Sequence, residues 1–120
     1  MKPTPLSGLY KRGSAWLIGI ARKQSDGTPV DLTGMSARAM FRAGDEDGAV
    51  VVTLTDAEGG GIAVDADAGA VSLTLTPDQT TLFAAGDKVL FDVELTPDDG
   101  LIWQSPTYAF RVTQEITRDD

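Results

Sequence analysis

Alternation of apolar and polar side chains with a period of two, cut every eight to twelve residues by glycine, aspartate and proline, constrains this chain more than any other feature. Period two sends successive side chains to opposite faces of a strand, and closely spaced turn clusters keep the strands short. That is the pattern of a sandwich or barrel. Trp16, Ile18 and Ile20 alternate with Leu17, Gly19 and Ala21 before a turn at Asp26-Gly27-Thr28-Pro29. Met35, Ala37, Ala39 and Phe41 share one face of the next strand. Ser36, Arg38, Met40 and Arg42 share the other, which is expected to meet solvent or a partner. Val50, Val52 and Leu54 follow a loop at 44–48, and Ile62 and Val64 form a short strand after Gly59-Gly60-Gly61. Residues 71–76 alternate cleanly between apolar and hydroxyl side chains. In the longest strand, Val89, Phe91, Val93 and Leu95 face in while Lys88, Asp92 and Glu94 face out. After a turn at Pro97-Asp98-Asp99-Gly100, residues 101–104 and 107–113 are predicted to close the chain as a hairpin, with Tyr108, Phe110 and Val112 in register.

One segment breaks the period. Thr76-Pro77-Asp78-Gln79 has an N-cap residue followed by proline at the first helical position, so a short helix is predicted near 77–85, ended by Gly86. Leu82 and Phe83 are expected to plug the end of the sandwich from it. The expected fold is therefore all-β: an antiparallel β-sandwich, immunoglobulin-like or jelly-roll-like, of about eight strands and one short helix. Residues 1–8, with two prolines and no strand periodicity, are predicted to be an extended N-terminal arm, and residues 9–120 a single sandwich domain. Its length of 120 residues suits one core.

Composition narrows the chemistry. Histidine and cysteine are both absent, which removes the commonest general base, thiolate nucleophiles, disulfides and the usual zinc ligands. The longest apolar run, 15–21, is far short of a membrane-spanning helix, and no secretory signal precedes it. A net charge of −8 disfavours a nucleic-acid backbone. The charge is unevenly placed: residues 1–42 hold seven cations against two acids, a net of +5, whereas residues 43–120 carry a net of −13. Folding either mixes these charges on one surface or builds a basic and an acidic face able to pair between subunits.

The candidate sites are weak as chemistry. Asp65-x-Asp67-x-Gly69 and Asp45-Glu46-Asp47-Gly48 have the acid and glycine content of calcium loops, but neither completes an EF-hand and both suit hairpin turns. Asp92 and Glu94 resemble a glycosidase pair only in being two carboxylates; they are expected on a solvated strand face with no cleft. The triple glycine at 59–61 lacks the lysine and helix start of a phosphate loop. Trp16, Trp103 and Tyr108 form either a sugar platform or part of the core. No catalytic, metal or cofactor site is expected.

Ordered short motifs carry a family resemblance. They are Arg12-Gly13-Ser14-Ala15-Trp16, then the run 26–38 containing Asp26-Gly27-Thr28-Pro29-Val30-Asp31-Leu32-Thr33-Gly34, and a strand ending in Arg42. Gly60-Gly61-Ile62, residues 69–76, Phe91-Asp92-Val93-Glu94-Leu95, Asp99-Gly100 and residues 112–118 follow in order. Over roughly residues 9–118 the chain resembles a tailed-bacteriophage family similar to the N-terminal β-sandwich domain of baseplate upper proteins. The resemblance implies a virion structural protein without catalysis, located in the particle and touching other phage subunits, including copies of itself, but neither nucleic acid nor membrane. The sequence reaches Asp120 without a coiled-coil stem or receptor-binding head, so the expected role is an adaptor or connector in the tail, baseplate or fibre-attachment region. Capsid decoration and a carbohydrate-binding module are the alternatives. The expected contact residues are Leu6, Lys11 and Arg12 at the N-terminus, with the arm lying against another subunit, and Arg38 and Arg42 on their strand face.

Overall fold

Ten strands and one helical turn form two packed sheets in the computed structural model, which describes residues 4–6, 10–44, 48–97 and 102–113. The strands are β1 (Thr4–Pro5), β2 (Tyr10–Lys11), β3 (Trp16–Ala21), β4 (Ser36–Ala43), β5 (Val50–Thr55), β6 (Ile62–Asp65), β7 (Ala70–Leu75), β8 (Lys88–Thr96), β9 (Trp103–Gln104) and β10 (Tyr108–Thr113). The larger sheet runs β1-β10-β8-β4-β5, with β2 also on β10 and β9 also on β8. The smaller runs β3-β7-β6. All pairings are antiparallel except those of β1 and β2 with β10. The chain is an all-β sandwich.

Alternation decides what each strand buries. β3 and β7 pair Trp16, Ile18 and Ile20 with Leu75, Leu73 and Val71, and all six are buried. Opposite them, β4 and β8 set Ala37, Ala39 and Phe41 against Leu95, Val93 and Phe91. The small alanines leave room for the rings: Phe41 stacks on Phe91 at 4.6 Å, Tyr10 packs on Phe110 at 4.2 Å, and Trp16 lies 5.5 Å from Phe83. The Trp16 indole donates to the Lys11 carbonyl at 2.8 Å, so this buried ring keeps its polar edge satisfied.

The crossing at Pro29 to Gly34 is built by the residues the sequence places there. The Asp31 carboxylate accepts from the Thr33 amide at 2.9 Å and from its hydroxyl at 2.6 Å. These bonds hold the carboxyl below its usual range. Leu32 is buried beneath this corner, and Gly34 adopts φ +80°, which an L side chain resists.

Several expectations change. The helix is one turn, α1 (Pro77–Thr80), closed by a capping box between Thr76 and Gln79. Beyond it, Leu82 and Phe83 donate three residues back, to Gln79 and Thr80, and this tighter winding separates their directions. Phe83 alone plugs the core, while Leu82 is 62% exposed. Strands β9 and β10 do not pair as a terminal hairpin. Both lie on β8, one after the other along the same edge, separated by Ser105-Pro106-Thr107. There the buried Ser105 hydroxyl accepts from the Val93 amide at 2.9 Å, supplying an acceptor where the strand is interrupted. The strand count rises above eight because the N-terminal segment contributes two short strands. The turn at 98–100 and residues 114–118 of the family resemblance lie outside the described residues.

Candidate protein interface on the outer face of the large sheet

Register turns the outward residues of β4 and β8 into rows. Arg38 stands between Thr55 and Glu94, Met40 between Thr53 and Asp92, and Arg42 between Val50 and Leu90. The Arg38 guanidinium meets Glu94 at 3.1 and 3.3 Å, and Gln104 of β9 reaches the same carboxylate at 3.5 Å. Arg42 donates instead to the Gly48 carbonyl at 2.7 Å, which ties the β4–β5 loop down beside the sheet. Between these groups lies a depression of about 320 Å³, lined by Arg38, Met40, Arg42, Asp92, Glu94 and Gln104 among others.

Asp92 is the unusual member. Its side chain takes no hydrogen bond or ion pair from any other described residue, though it is half buried in the depression. Burial raises its pKa first and the Glu94 charge second, against the pull of Arg42 and Arg38. Asp92 and Glu94 do lie on the outward strand face, as expected, but cross-strand neighbours make a half-open depression there in place of a flat surface. Leu90 was also invisible to alternation, which sends it outward. It is nonetheless buried, between Arg42 and Ala109 in register.

Of the other expected contact residues, the structure uses the side chains of Leu6 and Arg12 and the backbone of Lys11 within the chain. Thr4 and Leu6 donate to the Thr107 and Ala109 carbonyls at 2.7 and 2.9 Å, and Leu6 packs against the chain's own core. Over residues 4–6 the predicted arm is an edge strand of its own sheet, paired with β10. Arg12 donates to the Phe83 and Thr81 carbonyls at 2.8 and 3.0 Å, fastening the loop after α1. Lys11 takes part through its backbone, pairing with Thr113. Arg38 and Arg42 share one face as expected.

The other candidates resolve into architecture. Trp16 is core, Tyr108 stacks on Phe91 at 5.4 Å, and Trp103 lies under the Arg22 guanidinium at 4.8 Å, so the three aromatics form no exposed platform. Asp65 accepts from the Ala68 amide at 3.3 Å, as a turn residue does. Asp45, Glu46 and Asp47 lie outside the described residues.

No family model and no curated protein matches the chain. Among solved structures, it is similar to the N-terminal domain of phage TP901-1 ORF48, with a TM-score of 0.47 and 14% identity, covering 96% of this chain and 91% of that one.

Proposed function

We propose that the chain is a structural subunit of a tailed-phage particle, a sandwich adaptor in the tail, baseplate or fibre-attachment region. It acts by protein–protein contact and performs no chemistry. One observation carries this: the residues with which the sequence resembles that phage family are those the sandwich needs at its crossing between sheets. Asp31 and Thr33 close the corner, Leu32 anchors it, and Gly34 supplies its positive φ. Motif residues spent on shape suit a module whose product is a surface. The Arg38–Arg42 face offers that surface, with a half-buried acid and two arginines ready for a partner's donors and acceptors. Copies of the chain itself are among the partners proposed.

Purified particles tested by mass spectrometry and antibody labelling decide the matter. Label at the tail tip supports the adaptor role, and label over the head supports capsid decoration instead. A chain missing from washed particles would remove the virion assignment altogether.

A further inference from the structure

Among the described residues, nothing defends the free edge of β3 against pairing. An unprotected edge strand is a template for another chain, and proteins blunt such edges with charge, proline, bulges or covering loops. Three of the sandwich's edges carry such devices. β1 ends in Pro5, and β6 is four residues long with Asp65 in it. β5 has a register shift against β4, and its Thr55 amide is taken by the Gly60 carbonyl. β3 runs six residues, Trp16–Ala21, with no charge, proline or bulge, and no described residue pairs with its outer edge.

Which groups face that edge follows from the ladder. Arg22 donates to the Gly69 carbonyl at 2.7 Å and continues the β3–β7 register. Bonded and non-bonded pairs alternate in an antiparallel ladder, so Ile20, Ile18 and Trp16 also spend their amides and carbonyls on β7. Leu17, Gly19 and Ala21 therefore aim theirs away from the sheet. The same three side chains lie on its outer surface, where Leu17 is 76% exposed, the highest value among the exposed large apolar residues. Their neighbours on β7 are Thr74, Ser72 and Ala70, small and uncharged, and the nearest charge on that surface is Asp65, one strand further out on β6 opposite Ala70.

We propose that this edge pairs with the same edge of a second copy, antiparallel, with Gly19 on the two-fold axis. In that register every outward residue finds its partner within the strand, which no neighbouring register allows. Leu17 falls opposite Ala21 of the second copy, Gly19 opposite Gly19, and Ala21 opposite Leu17. All three outward amides and carbonyls are then satisfied on each side, six bonds in all if each pair exchanges two. Each exposed leucine faces a small residue and covers the partner's glycine diagonally. A shift of two residues one way pairs Leu17 with Lys23. The other way it pairs Ala21 with Ala15, outside the strand. No charged side chain lies within the paired segment, so two chains of net charge −8 meet there without apposed carboxylates. The product is a continuous six-stranded sheet, β6-β7-β3 followed by its symmetry mate.

This inference rests on the contact-making reading above and names one of its partners, and its test uses the isolated chain, separately from particle incorporation. Sedimentation or light scattering at roughly 100 µM, where even weak association is populated, is expected to give twice the 12.6 kDa chain mass. Gly19→Pro removes an amide that points away from β7, and the φ its ring fixes is one an edge strand accommodates, so it is expected to weaken the dimer at least about tenfold while leaving the melting temperature within a few degrees. Should that variant misfold, Gly19→Lys serves, since a Cβ at this position meets nothing within 4 Å. It sets two ammonium groups face to face across the axis. Because the chain has no cysteine, Gly19→Cys and Leu17→Cys compared with a short thiol crosslinker read the register, and only position 19 is expected to link to itself. A monomeric wild-type chain, a dimer untouched by both Gly19 substitutions, or preferential linkage at position 17 would each overturn the inference.

Discussion

Phe91→Ala tests the inward assignment of β8 where the structure commits most to it. The Phe91 ring is 2% exposed and sits between Phe41 at 4.6 Å, Tyr108 at 5.4 Å and Phe110 at 6.1 Å. Truncation removes a whole ring from the middle of the longest strand. Its ring neighbours belong to the two strands that flank β8, β4 and β10, and cannot close in together. Losses for Phe→Ala in cores run about 3–5 kcal/mol, and three ring contacts place this site in the upper half of that range. A domain of this size holds roughly 5–15 kcal/mol in total. With a urea slope of about 1–3 kcal/mol per molar, the unfolding midpoint should fall by roughly 2 M at unchanged slope. Leu82→Ala is the control, expected within about 0.5 kcal/mol because Leu82 is exposed. A Phe91→Ala loss under about 1 kcal/mol would mean that the core is not organised around this ring.

Asp92→Asn should stabilise the chain at neutral pH, by less than about 1 kcal/mol after solvent screening, as followed by melting temperature against pH. A carboxyl whose folded pKa is raised binds protons more readily folded than unfolded, so the wild type regains stability as pH falls through that raised value, and the variant's advantage should vanish below the ordinary aspartate range. Gly69→Ala should cost more than about 2 kcal/mol, since φ is +64° and the new Cβ would lie 2.7–2.9 Å from backbone atoms of Val30 and Arg22. Gly27→Ala, at φ +90° with open space around it, should cost only about 1–2 kcal/mol, and equal losses at the two sites in urea unfolding would refute the crowding at Gly69. Arg38→Ala should change stability by no more than about 1 kcal/mol because its pair with Glu94 is half exposed, so a larger loss by denaturation would show a buried role for that arginine.

Strands with long alternation were legible because their signal is local. β3, β4, β7 and β8 each show at least three inward apolar residues at period two. The corner at 29–34 was legible for the same reason: aspartate, threonine and glycine act there on their immediate neighbours. What failed was long-range or too short to have a period. Two residues at Thr4–Pro5 and two at Tyr10–Lys11 carry no alternation, and their pairing with β10 joins positions about a hundred residues apart. The placement of β9 beside β8 depends on how Pro106 interrupts the edge. The depression around Asp92 depends on which strands flank β8, and nothing local to Asp92 announces Arg38, Arg42 or Gln104 as its surroundings.

The uneven charge along the chain finds its resolution in the same register. The last two cations of the basic first third, Arg38 and Arg42, lie on β4, and the acids Asp92 and Glu94 lie on β8 beside it. The large sheet therefore interleaves the two halves of the charge distribution. On its outer face the segregation seen along the sequence becomes cross-strand mixing, not a basic face and an acidic one. Mixed charges spaced a few ångströms apart cancel beyond a Debye length of about 8 Å at physiological salt. A partner docking there is then recognised by hydrogen-bond geometry and by the fit of the depression more than by long-range attraction. It follows that association through this face should depend weakly on ionic strength and chiefly through dissociation rates. A steep salt dependence of the association rate would locate the contact elsewhere, toward Lys11 and Lys23, whose ammonium groups take no partner among the described residues.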